Sequence, residues 1–129
     1  MLARSTAAGE HKAVQACDCE GSIARAREVR SSLDEGLRFR LESIAGEREI
    51  RLRLFGVHWA NAVLGAIAAA LVLEVPLDVI EQALAGVYAH NGRLEPVVLP
   101  NGGIVIRDEY SGSRISFEAA MEFLKTVEG

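Results

Sequence analysis

The sequence predicts an α/β fold of α+β character, built as a β-hairpin, two packed helices, a second hairpin and a terminal strand–loop–helix step of a Rossmann-like kind. Three observations predict it. Apolar and charged residues alternate with period two around a glycine over residues 37–54. The apolar period changes to that of a helix after Gly56 and again after Pro76. A strand–turn–strand pattern then leads through a polar loop into an amphipathic C-terminal stretch.

Residues 1–21 are small, polar and charged with no clear period, and form a poorly patterned N-terminal segment. Residues 22–30 (SIARAREVR) fit either a short strand or a helical turn. Leu37, Phe39 and Leu41 then alternate with Arg38, Arg40 and Glu42, and Ile50, Leu52 and Leu54 alternate with Glu49, Arg51 and Arg53. Ala45-Gly46-Glu47 between them predicts the turn of a hairpin with one buried face. Its charged outer face discourages edge-to-edge pairing.

Trp59, Val63, Ile67, Ala70 and Leu71 have helical spacing, and the residues between them are also small or apolar, so this helix is expected to be buried on most sides. It should end near Glu74, because Pro76 biases the residue before it away from helix. Pro76 can open the next helix at its first position, with Asp78 in the favourable first turn and Leu77, Ile80, Ala83, Leu84 and Val87 as its stripe. Asn91-Gly92 ends it. Residues 94–99 and 103–108 form two strands around Pro100-Asn101-Gly102. After the loop, Ser116 is the expected N-cap, and Phe117, Ala120, Met121, Leu124 and Val127 the expected buried stripe. A single strand–helix step leaves a sheet edge and a helix face without partners, which predicts a truncation or a partner that completes the fold.

Composition removes several function classes. With 129 residues, half of them apolar and a quarter charged, the chain suits one domain or two small pieces and is not disordered. A net charge of −4 gives no basis for nucleic-acid binding. The arginines between Arg25 and Arg53 are interleaved with glutamates, as on a solvated strand face. No signal peptide is visible, and the longest apolar run, residues 59–73, is short of the ~20 residues that span a bilayer, so no membrane contact and a cytoplasmic location are expected. Cys17 and Cys19 with His11 sketch only a sparse metal pattern, so no metal site is assigned and reduced thiols are expected.

Three places carry polar residues that the fold alone does not require. At the start of the first helix, His58 and Asn61 are three residues apart and share a face; they either meet a ligand at the helix N-terminus or cap it. Arg93 follows Gly92 at a strand entry, where it either binds a phosphate or carboxylate or pairs with Glu95. Asp108, Tyr110, Ser111 and Ser113 lie past a strand's C-terminal end, where open α/β sheets place ligands, or else form a polar loop with a capping serine. No G-x-S-x-G turn occurs, and neither lysine follows a glycine, so there is no phosphate-binding loop in this sequence and no catalytic residue is assigned.

The ordered set G-V-H-W-A-N-A, V-P-L-D-V-I-E-Q-A-L, N-G-R-L-E and R-D-E-Y-S-G-S-R-I-S-F resembles the Mur ligases over residues 22–127, and is most similar to their D-alanyl-D-alanine-adding type. The resemblance implies that residues 22–90 are the tail of a central ATP-binding domain and residues 91–129 the start of a C-terminal domain. It implies an ATP-dependent amide ligase of peptidoglycan precursor synthesis that adds an amino acid or D-Ala-D-Ala to a UDP-muramoyl peptide. ATP and magnesium are the cofactors so implied for the whole enzyme, with the phosphate loop and magnesium ligands upstream and no activity from this chain alone. His58, Arg93 and Asp108 match family positions near the nucleotide, and Tyr110 matches the loop that holds the dipeptide. The family's adenine-contacting asparagine falls on Ala62, with Asn61 one residue and about 100° away around the helix. Ser111, Gly112 and Ser113 stand where the family has N-A-N, and Arg114 where it has proline. The alternative expectation is a non-catalytic binding or oligomerisation module that keeps the Mur scaffold and is completed by a second copy or a complementing chain.

Overall fold

A computed structural model describes residues 14–15, 22–110 and 112–127; His11, Cys17, Cys19 and Ser111 lie outside the described residues. Four antiparallel strands lie side by side in chain order: β1 (Val14–Gln15), β2 (Ala24–Ser32), β3 (Gly36–Ser43) and β4 (Gly46–Leu52). Residues 22–30, ambiguous in sequence, therefore belong mostly to a strand. Pairing explains why: Ala24 sits opposite Ser43 and Ala26 opposite Leu41, which places Ala24, Ala26 and Val29 in the core. The register slips between Arg27 and Arg30, and Glu28 there adopts φ 53°, as in a β-bulge.

The β3–β4 hairpin has the expected faces. Leu37, Phe39, Leu41, Ile50 and Leu52 point inward, while Arg38, Arg40, Glu49 and Arg51 lie on the outer face. Its turn comes one residue earlier than expected. Ser43 pairs with Gly46, so Ile44 and Ala45 are the turn residues and Gly46 opens β4. The Ser43 hydroxyl secures the turn by donating to the Gly46 carbonyl at 2.8 Å.

Helix α1 (Trp59–Val72) packs Ala60, Val63, Leu64, Ile67 and Leu71 onto the inner sheet face, and α2 (Leu77–Ala85) adds Leu77 and Ile80. Each fully buried aliphatic or aromatic side chain in this cluster contributes about 1.5–3 kcal/mol by removal from water. The expectation that α1 is buried on most sides is corrected. Asn61, Ala62, Gly65, Ala66 and Ala69 are exposed, as are Val72 and Leu73 at its end. Small residues satisfied the apolar pattern without needing burial. Pro76 is the N-cap of α2 rather than its first helical residue. Arg48 of β4 ties this helix to the sheet through Asp78 at 2.9 Å and Glu81 at 3.4 Å.

The second hairpin, β5 (Glu95–Val98) and β6 (Ile104–Arg107), forms a separate two-stranded sheet, followed by α3 (Arg114–Lys125). Two corrections apply to α3. Its N-cap is Ser113, whose Oγ accepts from the Ser116 N–H at 3.1 Å, so Ser116 lies inside the helix. Its buried residues are Ala120 and Phe123, whereas Phe117 is 65% exposed and Met121 and Leu124 are each 43% exposed. Phe117, Met121 and Leu124 of the expected stripe thus lie on the outward face, while its Ala120 and Val127 belong to the buried cluster. The inward face meets Leu94, Leu33, Phe55 and Ile106, with the Phe55 and Phe123 rings 6.1 Å apart. The first sheet also grips the segment before β5: Arg53 bridges to Tyr88, and its carbonyl accepts from the Ala89 N–H at 2.9 Å. Among the described residues, no helix is long and apolar enough to cross a membrane.

Candidate functional site

Three short segments meet where the two sheets join: 56–58 at the entry to α1, 90–94 before β5, and 108–110 after β6. Hydrogen bonds anchor the first segment to β2 and tie the second and third to each other. The Gly56 N–H donates to Ser31 Oγ at 2.8 Å, the Leu94 N–H to Asp108 Oδ1 at 3.2 Å, and the Tyr110 N–H to the Gly92 carbonyl at 2.9 Å. Glycine is required at two of these points. A Cβ on Gly56 (φ 97°) would lie 2.6 Å from the His58 ring and 3.2 Å from Leu94. One on Gly92 (φ 73°) would lie 2.9 Å from the Glu109 carboxyl carbon.

Leu94 carries the most unusual backbone here. It has φ 46°, uncommon for a branched side chain, and is almost fully buried. Its N–H on Asp108 and its side chain in the Phe55–Phe123 cluster hold that conformation. The direction in which Arg93 leaves the backbone is thereby set. Asp108 commits one oxygen to this bond, and its other oxygen has no protein partner among the described residues.

Arg93 is half-buried, and among the described residues it makes no ion pair. The expected alternative, pairing with Glu95, is overturned. Glu95 Oε2 accepts instead from the Gly92 N–H at 3.0 Å and from Arg107 at 3.2 Å. Arg107 also pairs with Glu109, whose carboxyl is held below its ordinary pKa by its own backbone N–H and by that guanidinium. The Arg93 guanidinium lies over the Tyr110 ring, 4.2 Å from its centroid, with the His90 ring 5.8 Å from the same tyrosine.

His58 occupies the N-cap position of α1 without a side-chain capping bond. Loss of solvent lowers its pKa below the ordinary histidine range, and the Asp108 carboxylate opposes that shift. His58 and Asp108 therefore share one electrostatic neighbourhood, although their segments are 50 residues apart. Asn61 is not drawn into the cluster. It is exposed and its side chain has no hydrogen-bond partner among the described residues. Ser113 is occupied in capping α3. His90 was not singled out in the sequence, and Leu94 was expected only as the first residue of a strand, which starts instead at Glu95. The N-G pair before Arg93 was the available signal, since it permits the positive φ at Gly92 that brings both loops together.

No family model matches the chain. Individual proteins do. Over 126 residues the chain is 37% identical to the UDP-N-acetylmuramoyl-L-alanyl-D-glutamate–2,6-diaminopimelate ligase of Oceanobacillus iheyensis, covering 97% of this chain and 24% of that protein. Its fold superposes on MurF from Acinetobacter baumannii with a TM-score of 0.75 and 28% identity, over 84% of this chain and 24% of that one. The chain is a Mur ligase relative. The Escherichia coli UDP-N-acetylmuramoyl-tripeptide–D-alanyl-D-alanine ligase is 31% identical over 94 residues, 73% of this chain and 21% of that protein. The chain thus spans about a quarter of the length of the Mur ligases it matches. The likeness runs to both the diaminopimelate-adding and the D-alanyl-D-alanine-adding types, not to the latter alone. It also extends into residues before Ser22, since 97% coverage exceeds the 22–127 span.

Proposed function

We propose that this chain supplies the nucleotide half-site of an ATP-dependent Mur-type amide ligase, the enzyme class that adds an amino acid or dipeptide to a UDP-muramoyl peptide in peptidoglycan precursor synthesis. Residues 22–90 correspond in this view to the tail of the central domain and residues 91–129 to the start of the C-terminal one. The observation that carries the proposal is the cluster at the joint between the two sheets. Among the described residues, Arg93 presents a guanidinium with no carboxylate on it and Asp108 retains one unpartnered oxygen, and the Asp108 carboxylate acts electrostatically on His58. This donor and acceptor set suits a ribose–phosphate. A carboxylate oxygen accepts from ribose hydroxyls, and a guanidinium clamps phosphate oxygens bidentately.

ATP, when bound, supplies the phosphoryl group that activates a carboxylate for attack by an amine. This chain's own part is to bind and orient: Arg93 offsets negative charge on phosphate oxygens, and Asp108 fixes the sugar. Among the described residues no group of three or more His, Cys, Asp or Glu is placed to hold a metal ion, so magnesium is assigned no residue here. Titration with ATP and ADP in the presence of magnesium, followed by calorimetry, tests the assignment. Binding by the wild-type chain that is lost in the Arg93→Ala, Asp108→Ala double variant is the expected result. A folded chain that binds neither nucleotide would overturn it.

A second function, as a non-catalytic assembly module on the Mur scaffold, is favoured by one observation. Phe117, Met121 and Leu124 of α3 and Val98, Ile104 and Val105 of the small sheet are all exposed. Concentration-dependent association in sedimentation, reduced by Phe117→Glu, is the expected signature. A monomer at all concentrations would remove self-association.

A further inference from the structure

An arginine side chain has about 2 kcal/mol of rotamer entropy to lose on being fixed, so an arginine that waits for an anion benefits from a partner that holds it without neutralising it. Arg93 has such a partner. Its guanidinium carbon lies 4.2 Å from the Tyr110 ring centroid, within the range of a cation–π contact. The ring holds the guanidinium without neutralising it, and among the described residues no carboxylate pairs with Arg93, whereas an ion pair with Glu95 would neutralise it.

The ring is itself held. The Tyr110 N–H donates to the Gly92 carbonyl at 2.9 Å, so the tyrosine is pinned to the residue just before Arg93. The His90 ring, at 5.8 Å and 35° to the Tyr110 plane, braces it. On the other side of Arg93, Leu94 is locked by burial and by its bond to Asp108. Backbone on both sides and the guanidinium at the tip therefore each have a partner within the chain.

We infer that Tyr110 is a positioning residue: its ring, braced by His90, holds the Arg93 guanidinium in the pose that receives the phosphate oxygens of a bound nucleotide. This inference rests on the nucleotide half-site proposed above, and gives Tyr110 a task other than holding a dipeptide.

Side-chain NMR of Arg93 combined with ADP–magnesium titration, on wild type, Tyr110→Phe, Tyr110→Leu and Arg93→Ala, tests it. An upfield ring-current shift of the Arg93 side-chain protons is expected in wild type and Tyr110→Phe, and its loss in Tyr110→Leu. Tyr110→Leu should weaken ADP binding about two- to fivefold, the change that an exposed cation–π contact supports. Tyr110→Phe should restore it, and Tyr110→Leu should add nothing in the Arg93→Ala background. Unchanged amide shifts of β2–β4 establish that the variants are folded. Absence of the ring-current shift in wild type, or an undiminished effect of Tyr110→Leu without Arg93, would overturn the inference. ADP binding that Tyr110→Leu leaves intact overturns this inference alone, whereas failure of the wild type to bind ADP overturns the half-site and the phosphate role with it.

Discussion

At the scale of single residues, His58 and Ser113 show two different ways in which a polar residue at a helix start is used. His58 stands at the N-cap of α1 yet makes no capping bond, and burial pushes its pKa down while Asp108 pulls it up. A base whose folded pKa lies below its unfolded value binds protons more readily when unfolded. Stability from this group is therefore complete above the unfolded value of about 6.5 and falls as the pH drops through it towards the folded value. Urea denaturation between pH 8 and pH 5 should show this loss, and His58→Gln should flatten that part of the profile. A parallel profile in the variant would remove His58 as its source. Ser113 does cap its helix, so Ser113→Ala should cost about 0.5–2 kcal/mol of stability and leave ADP affinity unchanged. Much of the candidate site was legible in sequence at this scale. Arg93 and Asp108 could be singled out from a charge beside Gly92 and a carboxylate past a strand end, although each also had a structural alternative, and Asp108 does accept from the Leu94 N–H. The partner of Arg93 was not legible. Whether Glu95 turns toward Arg93 or Arg107 depends on the β5–β6 register, in which Glu95 lies opposite Arg107.

At the scale of elements, strict alternation located the β3–β4 hairpin, because period two leaves only one face to bury. Residues 22–30 were ambiguous because alanine fits helix and strand alike, and only pairing with β3 decides between them. Helix α3 begins three residues earlier than expected, and of its expected stripe only Ala120 and Val127 face inward. Its sequence offers two apolar stripes, one containing Phe117, Met121 and Leu124 and the other Ala120 and Phe123, and the position of Phe55 selects the second. Phe123→Ala should therefore cost about 3–5 kcal/mol, while Phe117→Ala should stay within about 0.5 kcal/mol. Equal losses in chemical denaturation would contradict this orientation.

At the scale of the whole molecule, the candidate site lies at the joint between the two sheets. Leu33 and Phe55 from the first unit, and Leu94, Ile106, Ala120 and Phe123 from the second, form the small core beneath the candidate site. His58, Arg93 and Asp108 come from three segments brought together only by that packing, so no contiguous motif could announce them. The ordered resemblance to the Mur ligases could, because spacing between motifs reflects the fold that joins them. The central claim is that these three segments form one nucleotide half-site. Amide chemical-shift mapping of the chain titrated with ADP and magnesium tests it most directly. Shifts confined to residues 56–59, 90–94 and 108–110 are the expected result; shifts centred on the arginine-rich outer face of β2–β4, or no shifts in a folded chain, would contradict it.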